Sequence, residues 1–370
     1  MSKMNLDPAG LWVGRVERPG IGPCVVTLRD NEVIDITDKK APTVRDVFEL
    51  DDTAHYLRTA PGQSLGDPDQ NRHWLAPCDL QSVKACGVTF AGSMVERVIE
   101  EQAAGDAAKA EAIRARIGAR IADSLSNIVP GSTEAENVKQ ALIEEGLWSQ
   151  YLEVGIGPDA EVFSKAQVLS SVGSGSDVGL HPISTWNNPE PEVVLAVTSR
   201  GEIKGATLGN DVNLRDVEGR SALLLSKAKD NNASCAIGPM IRVFDETFSL
   251  DDVRQAELTL TVKGEDGFVL NGASSMSQIS RDPSDLVKQT IGRHHQYPDG
   301  FMLFLGTLFA PTQDRDTPGG GFTHKLGDIV TIENEKLGAL TNTVRLSTEC
   351  PEWTFGASHL MRNLAQRGLL

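Results

Sequence analysis

Positive charge is scarce in this 370-residue sequence. Lys and Arg together number 35 against 51 Asp and Glu, which gives a formal net charge of −16 at pH 7. Such a balance argues against nucleic acid or an anionic membrane surface as the main partner. It does not exclude an anionic small molecule, because a metal ion or a local basic residue can reverse the field within one cleft.

Paired cysteines and long apolar runs are also missing. The five cysteines are scattered and none forms a C-x-x-C pair, so neither a disulfide framework nor a zinc site is indicated. No stretch approaches the roughly 20 apolar residues that span a bilayer, and the first residues lack the apolar core of a signal peptide. With 40% hydrophobic and 23% charged residues, we expect a soluble cytoplasmic protein.

Turn-forming residues divide the chain near residue 75. Residues 10–36 alternate apolar and polar positions, which predicts short strands. Residues 57–73 are rich in Gly, Pro, Asp and Gln, which is typical of a loop or linker. We therefore predict a small N-terminal α/β domain over residues 1–75 and a second domain over residues 76–370.

The second domain begins with helical patterns and continues with strands, which predicts an α+β fold. Apolar spacing predicts one helix over residues 94–125 and another over 133–151, with Thr133 and Glu136 as a capping box. Beyond residue 160, short β-branched runs are separated by Gly, Pro and Asn. The strands expected there include residues 193–198, 257–262, 302–305 and 329–333, and the expected helices are 285–292 and 358–368.

A group of acidic residues gives the strongest local signal. If a strand begins at Glu190, then Glu190 and Glu192 share a face because side chains alternate. A turn at residues 199–202 would return the chain antiparallel and bring Asp211 back beside them. Three converging carboxylates repel one another unless they are protonated or bind a hard divalent ion such as Mg²⁺, Mn²⁺ or Ca²⁺. Spacing alone leaves open the alternative that they are solvated acids at a strand edge.

These residues resemble the metal-site signature of the fumarylacetoacetate hydrolase superfamily. The resembling segments are Glu190-Pro191-Glu192 before an apolar strand, and Asn210-Asp211-Val212-Asn213-Leu214-Arg215-Asp216. The resemblance implies a mixed β-roll and a homodimer or homotetramer. It also implies that Glu190, Glu192 and Asp211 ligate Mg²⁺, Mn²⁺ or another divalent ion, with Arg215 and Asn210 supporting these ligands.

Further motifs extend the resemblance over residues 84–370. The segment from Ser226 to Asn231 is similar to the family's active-site lysine motif; without a gap the lysine falls on Lys227, and Lys229 is the second candidate and a possible substrate ligand. Gly306 and Thr307 resemble the loop that binds the substrate carboxylate, and Lys325-Leu326-Gly327-Asp328 resembles the closing turn.

One departure from the family concerns its His-x-x-Glu pair, which activates water in the hydrolases. Here Ser93 stands at the histidine position, where it could contact substrate, and Glu96 is retained. A serine is not a base near neutral pH without a further partner, so hydrolytic C–C cleavage is not favoured.

Several longer segments resemble a narrower group of the superfamily, the 2-keto-3-deoxy-D-xylonate dehydratases of pentose degradation. The resembling segments are 147–153, 187–192, 226–235, 295–300 and 360–370. The resemblance implies a lyase that dehydrates a small 2-keto acid to 2-ketoglutarate semialdehyde. Lys227 would be the base and Glu96 the acid, although these two roles could be exchanged, and Thr307 would bind the substrate carboxylate.

Two alternatives remain at this point. A hydrolase or decarboxylase of another small 2-keto acid, such as an acylpyruvate or oxaloacetate, would use the same metal-bound enolate. A catalytically silent binding protein would bind such acids without turnover. The adjacent His294 and His295 favour a structural or surface role, and His324 is not assigned.

Overall fold

A computed structural model describes residues 3–125, 128–309, 311–318 and 320–370; for residues 117–124 it describes the backbone but not the side chains. Within these residues, no helix combines the length and the apolar character that crossing a membrane requires.

Strands make up most of the framework. In chain order they are β1 Trp12–Arg18, β2 Gly22–Arg29, β3 Glu32–Asp35, β4 Gln63–Ser64, β5 His73–Leu75, β6 Ser82–Gly87, β7 Glu161–Ala166, β8 Asp177–Leu180, β9 Pro191–Val197, β10 Ile203–Asp211, β11 Cys235–Val243, β12 Glu257–Lys263, β13 Val269–Ser275, β14 Phe301–Phe304, β15 Ile329–Asn334 and β16 Gly338–Leu346.

Helices connect and cover the strands. In chain order they are α1 Val44–Glu49, α2 Thr53–Thr59, α3 Ala91–Ala103, α4 Ala107–Leu125, α5 Thr133–Glu144, α6 Gln150–Ile156, α7 Arg215–Glu218, α8 Leu225–Lys229, α9 Leu250–Arg254, α10 Pro283–Thr290 and α11 Ala357–Gln366. Short 3-10 turns lie at Ala222–Leu224 and Met276–Gln278.

Two mixed sheets build the α+β fold. The larger runs in the order β4-β3-β2-β1-β11-β10-β9-β14-β6-β7, with β5 pairing to β1, and the smaller runs β13-β12-β15-β16-β8. Strand β1 pairs antiparallel with β11, so the N-terminal strands continue the sheet that contains β9 and β10. The domain border near residue 75 stays a prediction.

Strand β9 lies inside the larger sheet and is buried along its whole length. Val193 and Leu195 pack in a core with side chains of the smaller sheet, whereas Val194 and Ala196 pack in a second core with side chains of α1 and α2. Burial on both faces explains the unbroken apolar run of residues 193–197.

The structure corrects two helix predictions. The helix predicted over residues 94–125 is interrupted, because Ala104 and Gly105 adopt left-handed φ angles of 52° and 77° that end α3. The helix predicted over 133–151 is also two helices. Its N-cap is Ser132, whose hydroxyl accepts the Ala135 N–H at 3.1 Å, in place of the capping box predicted at Thr133.

Candidate metal and acid–base site

The predicted hairpin brings the three acidic side chains together. Strands β9 and β10 pair antiparallel, with Gly209 opposite Glu192, and the Asp211 N–H donates to the Glu190 carbonyl at 3.0 Å. Glu190, Glu192 and Asp211 are each at most 2% exposed. One ligand oxygen from each lies within 4.8 Å of the others, which is close enough for a shared cation. The alternative of solvated acids at a strand edge is therefore wrong.

Lys229 and Lys165 contact this triad from two further elements. Lys229, at the end of α8, forms an ion pair with Glu190 and places its Nζ 3.1 Å from Asp211 Oδ2. Lys165, on β7, places its Nζ 2.9 Å from Asp211 Oδ1 and also donates to the Lys229 carbonyl. Both lysine side chains are at most 2% exposed.

Two arginines connect the triad to α3 and α7. Arg97 Nη2 donates to Glu190 Oε1 at 2.7 Å, while its Nη1 lies 2.7 Å from Glu100 Oε2 and 3.0 Å from Glu218 Oε2. Arg215 Nε donates to Glu100 Oε1 at 2.6 Å. We call these nine buried side chains the carboxylate cluster; they are Glu100, Glu190, Glu192, Asp211, Glu218, Arg97, Lys165, Arg215 and Lys229.

Charge in the carboxylate cluster is unevenly compensated. Five carboxylates face four cations, and Glu192 accepts the Gly306 N–H at 2.7 Å rather than a charged donor among the described residues. Burial, together with Asp211 and Glu190, raises the pKa of Glu192 well above its ordinary value. An oxygen-only triad with an excess negative charge fits a hard divalent ion.

The remaining pKa shifts follow from the same contacts. Burial raises the pKa of Glu190 and of Glu218, although Lys229 and Arg97 oppose it at both residues. Burial works in the same direction on Asp211, but Lys165 and Lys229 hold its pKa below the ordinary value. The pKa of Lys229 is raised, because Asp211, Glu190 and Glu218 outweigh its burial. In the state described here Lys229 therefore retains its proton at neutral pH.

The structure corrects the choice between the two lysines. Lys227 is exposed, and its carbonyl oxygen accepts a hydrogen bond from Asn231 Nδ2. Lys229, two residues later, is buried against the triad. On a helix, residues two apart do not share a face, so only one of them can point inward.

Glu96 and Ser93 lie on α3 but make other contacts than predicted. The Glu96 carboxylate pairs with Arg114, at 2.7 and 2.8 Å, and with Arg215 Nη2 at 2.9 Å. The Ser93 hydroxyl donates to the Phe90 carbonyl and accepts its N–H, so it caps the start of α3. Neither contact reaches the triad, and their catalytic and binding roles stay predictions.

Gly306 and Thr307 follow β14 beside the triad. Gly306 has a left-handed φ of 97°, and a Cβ on it would lie 2.1 Å from Thr89 Oγ1, so this position requires glycine. Its N–H binds Glu192, and the Thr307 hydroxyl donates to the Phe309 carbonyl. The structure thus brings this loop to the site.

Asn210 and Arg215 have different surroundings. Asn210 is fully buried one position from Asp211, on the opposite face of β10, and its side-chain amide has no hydrogen-bond partner among the described residues. The Arg215 guanidinium stacks on Trp186 at 4.4 Å and links Glu96 to Glu100. Arg215 thus supports α3 more directly than it supports the triad.

Sequence reasoning missed four members of the carboxylate cluster. Arg97 and Glu100 lie one turn apart on a predicted helix, and Glu218 follows Arg215 by one turn, so helical spacing could have grouped each pair. Lys165 lies on a short strand without any distinctive neighbour, and no local signal marks it.

A family model matches half of the chain. The model described as "Fumarylacetoacetate (FAA) hydrolase C-terminal" matches residues 161–345, a segment that includes the triad, Lys165, Glu218 and Lys229.

Two curated proteins are similar over about half of the chain. A "Probable 2-keto-3-deoxyxylonate dehydratase" of Haloferax volcanii is 32% identical over 201 residues, 54% of this chain and 65% of that protein. A "2-dehydro-3-deoxy-D-arabinonate dehydratase" of Saccharolobus solfataricus is 31% identical over 188 residues, 50% of this chain and 58% of that protein. The alignments thus span less than two thirds of each relative.

Solved structures show the same fold over most of the chain. A 2-keto-3-deoxy-D-arabinonate dehydratase complexed with magnesium and 2,5-dioxopentanoate has a TM-score of 0.63 at 22% identity, covering 90% of this chain and 99% of the other. A fumarylacetoacetate hydrolase from Exiguobacterium antarcticum has a TM-score of 0.56 at 15% identity, with 91% and 99% coverage. At these identities the likeness concerns the fold, and it agrees with the predicted α+β class.

Proposed function

We propose, on the premise that this chain belongs to the fumarylacetoacetate hydrolase family, that it is a metal-dependent dehydratase of a 2-keto-3-deoxy-pentonate. The observation that carries the proposal is the buried triad of Glu190, Glu192 and Asp211 with Lys229 against it. The names of the two relatives, both dehydratases of such acids, support the choice of reaction.

The substrate we propose is 2-keto-3-deoxy-D-xylonate, and the product is 2-ketoglutarate semialdehyde, also called 2,5-dioxopentanoate. A ketone at C2 and the missing hydroxyl at C3 leave C4 as the only stereocentre. For acids of D configuration the xylonate and arabinonate names therefore describe the same molecule, and the names of the two relatives are compatible with one substrate. The open question of handedness is thus between D and L at C4.

The metal ion we propose is Mg²⁺, with Mn²⁺ or another divalent ion as substitutes, held by Glu190, Glu192 and Asp211. Their all-oxygen donor set and their excess negative charge fit such an ion. When bound, it would polarise the keto group of the substrate and make the C3 protons more acidic.

Lys229 replaces Lys227 as the proposed base for the C3 proton. Its ammonium contacts Glu190 and Asp211, and these carboxylates are the reason why its pKa is raised. Once these two carboxylates are neutralised by a bound cation, that cause is removed. Lys229 can then lose its proton and act as a base. We propose that the Gly306–Thr307 loop binds the substrate carboxylate. The hydrogen bond from the Gly306 N–H to Glu192 holds this loop beside the proposed metal ligands.

The cellular setting is also proposed. All five cysteines are buried free thiols, which suits a reducing compartment such as the cytoplasm. We propose a homodimer or homotetramer, as the family resemblance implies.

The test is an assay of chelator-stripped protein with 2-keto-3-deoxy-D-xylonate, with and without Mg²⁺, coupled to a semialdehyde dehydrogenase. We expect metal-dependent formation of the semialdehyde, and the L-configured acid in a parallel assay identifies the preferred handedness. If folded protein forms no product with either Mg²⁺ or Mn²⁺, the dehydratase proposal fails. Acylpyruvates and oxaloacetate then test the hydrolase and decarboxylase alternatives.

A further inference from the structure

Glu218 is a buried carboxylate next to the proposed base that has no part in the reaction as described so far. It ends the single turn of α7 and is 3% exposed. Its Oε2 lies 3.0 Å from Arg97 Nη1 and 3.9 Å from Lys229 Nζ. These contacts lack hydrogen-bond geometry, so Oε2 has no hydrogen-bond donor within the described part of the chain.

Glu96, the acid suggested by family resemblance, is bound differently. Both of its oxygens accept hydrogen bonds from arginines, Oε1 from Arg114 and Oε2 from Arg114 and Arg215. Both oxygens of Glu96 are thus engaged by arginines, whereas Glu218 Oε2 has no hydrogen-bond donor among the described residues. Burial raises the pKa of Glu218 even with Arg97 and Lys229 nearby.

We propose that Glu218 gives a proton to the leaving C4 hydroxyl, an inference that rests on the proposed dehydratase function. The C3–H bond breaks as its proton passes to the base, for which we propose Lys229. The C4–O bond breaks, and the departing oxygen takes the proton of Glu218 and leaves as water. The water released between Lys229 Nζ and Glu218 Oε2, which lie 3.9 Å apart, can carry the proton of the base back to Glu218, so no external co-reactant is needed. The immediate product, 5-hydroxy-2-oxopent-3-enoate, is an isomer of the semialdehyde and forms it when one proton moves from C5 to C3 and the resulting C4–C5 enol tautomerises.

The short distance between the two groups has a stereochemical consequence. A base and an acid this close can reach only one side of the C3–C4 bond at a time. The hydrogen and the hydroxyl should therefore leave from the same face of the substrate, in a syn elimination.

The experiment compares wild-type protein with Glu218→Gln on two substrates in the presence of Mg²⁺. The first is 2-keto-3-deoxy-D-xylonate, whose hydroxide is a poor leaving group. The second is the same acid with an acetate at C4, 4-acetoxy-5-hydroxy-2-oxopentanoate, from which acetate can leave without an acid. We expect Glu218→Gln to lower kcat on the hydroxy acid by roughly 100- to 10,000-fold and on the acetoxy acid by less than about tenfold.

Two further measurements separate a catalytic role from a structural one. Exchange of the C3 protons in D₂O, followed by NMR, should persist in Glu218→Gln because the base is intact. With substrate deuterated stereospecifically at C3, the identity of the lost hydrogen and the geometry of the C3=C4 bond in rapidly quenched product should together indicate syn elimination. Glu218→Asp keeps a carboxylic acid and should retain more activity than Glu218→Gln. If the glutamine variant does not fold, Glu218→Asp should still eliminate both substrates, with a larger loss of kcat on the hydroxy acid than on the acetoxy acid.

The outcomes are distinct for the two proposals. Absence of dehydration by wild-type protein sinks the proposed function. If wild-type dehydrates but Glu218→Gln is within threefold of it, or loses both substrates and the C3 exchange equally, or if elimination is anti, the role of Glu218 as the acid is overturned. The control is Glu202→Gln, in the exposed turn between β9 and β10, which should match wild-type on both substrates.

Discussion

Asp328 and Glu192 are both fully buried carboxylates, but their surroundings differ. Asp328 accepts hydrogen bonds from Arg315 at 2.6 and 2.8 Å and from the Lys325 N–H at 3.0 Å, and it contacts His324 Nδ1 at 3.1 Å. Glu192 accepts one backbone N–H and lies beside two further carboxylates. The first arrangement is complete without a ligand, whereas the second leaves negative charge that a proton or an added cation would neutralise.

The difference distinguishes structural from functional burial of charge. A carboxylate that is fully paired holds its loop in place, and the closing turn at Lys325-Leu326-Gly327-Asp328 has this character. A carboxylate in excess costs stability and is explained by the ligand that it binds. The buried His324 takes part in the paired arrangement through its contact with Asp328. His294 and His295 are exposed, in line with the structural or surface role favoured for them.

Glu192→Gln should have the largest effect of the substitutions that test this difference. We expect kcat to fall by at least about a thousandfold, since the charge stabilisation by a metal contributes several kcal/mol. The rise in melting temperature on adding Mg²⁺ should disappear, while the metal-free protein should melt no lower than wild-type, because an uncompensated charge has been removed. An unchanged Mg²⁺ effect on the melting temperature would contradict the assignment of Glu192 as a ligand.

Asp328→Asn should have the reverse pattern. We expect the free energy of unfolding to fall by about 3 kcal/mol, because Arg315 loses its main buried partner. Urea unfolding measures this change, and the melting shift caused by Mg²⁺ should persist. Asp266→Asn is the matched control: it removes the other carboxylate on Arg315, but its side chain is 36% exposed, so it should lower the free energy of unfolding much less than Asp328→Asn does. Equal effects of the two variants would refute the distinction between buried and exposed pairing.

The two lysines of α8 offer a comparison within one helix. Lys229→Met should lower kcat by at least about a hundredfold more than Lys227→Met, because only Lys229 contacts the triad. Steady-state kinetics with saturating Mg²⁺ measures the ratio. Similar losses in both variants would contradict the choice of Lys229 and would again allow Lys227 as the active-site lysine.

The smallest expected effect is on acid stability. Burial opposes ionisation of Asp328, but hydrogen bonds from Arg315 and His324 lower its pKa from 3.8 to about 2. Since the folded-state pKa is depressed, the contribution of Asp328 is fully present above pH 3.8 and is lost as the pH falls towards 2. Wild-type stability should therefore decline more steeply over this interval than that of Asp328→Asn. Parallel declines would show that Asp328 does not titrate in this way.

Local sequence properties made the site strands predictable. The hairpin of β9 and β10 follows from a period of two, a turn that contains Gly201, and an apolar run, and all three are local properties. That period puts Glu190 and Glu192 on one face and the turn returns Asp211 towards them, but only the family resemblance favoured a buried metal site over solvated acids.

The break at Ala104 has a local signal that the helix prediction overlooked. Gly105 follows the end of α3, and Asp106 caps α4 by accepting the Ala108 N–H at 3.1 Å.

Other features depend on contacts between distant segments. The choice of Lys229 over Lys227 depends on how α8 is rotated against the triad. Lys165 contacts Asp211 although β7 is an edge strand of the larger sheet and is not adjacent to β10 in the strand order.

The ion pair between Arg97 and Glu190 crosses a border in the chain. Glu190 lies within residues 161–345, the part that the family model matches, whereas Arg97 comes from α3, before that part begins. The acids lie in the part that the family model matches, but the guanidinium that pairs with Glu190 comes from a segment outside that part. A chimeric protein that exchanges the segment between β6 and β7 therefore keeps the strands that hold the acids but replaces the guanidinium that pairs with Glu190.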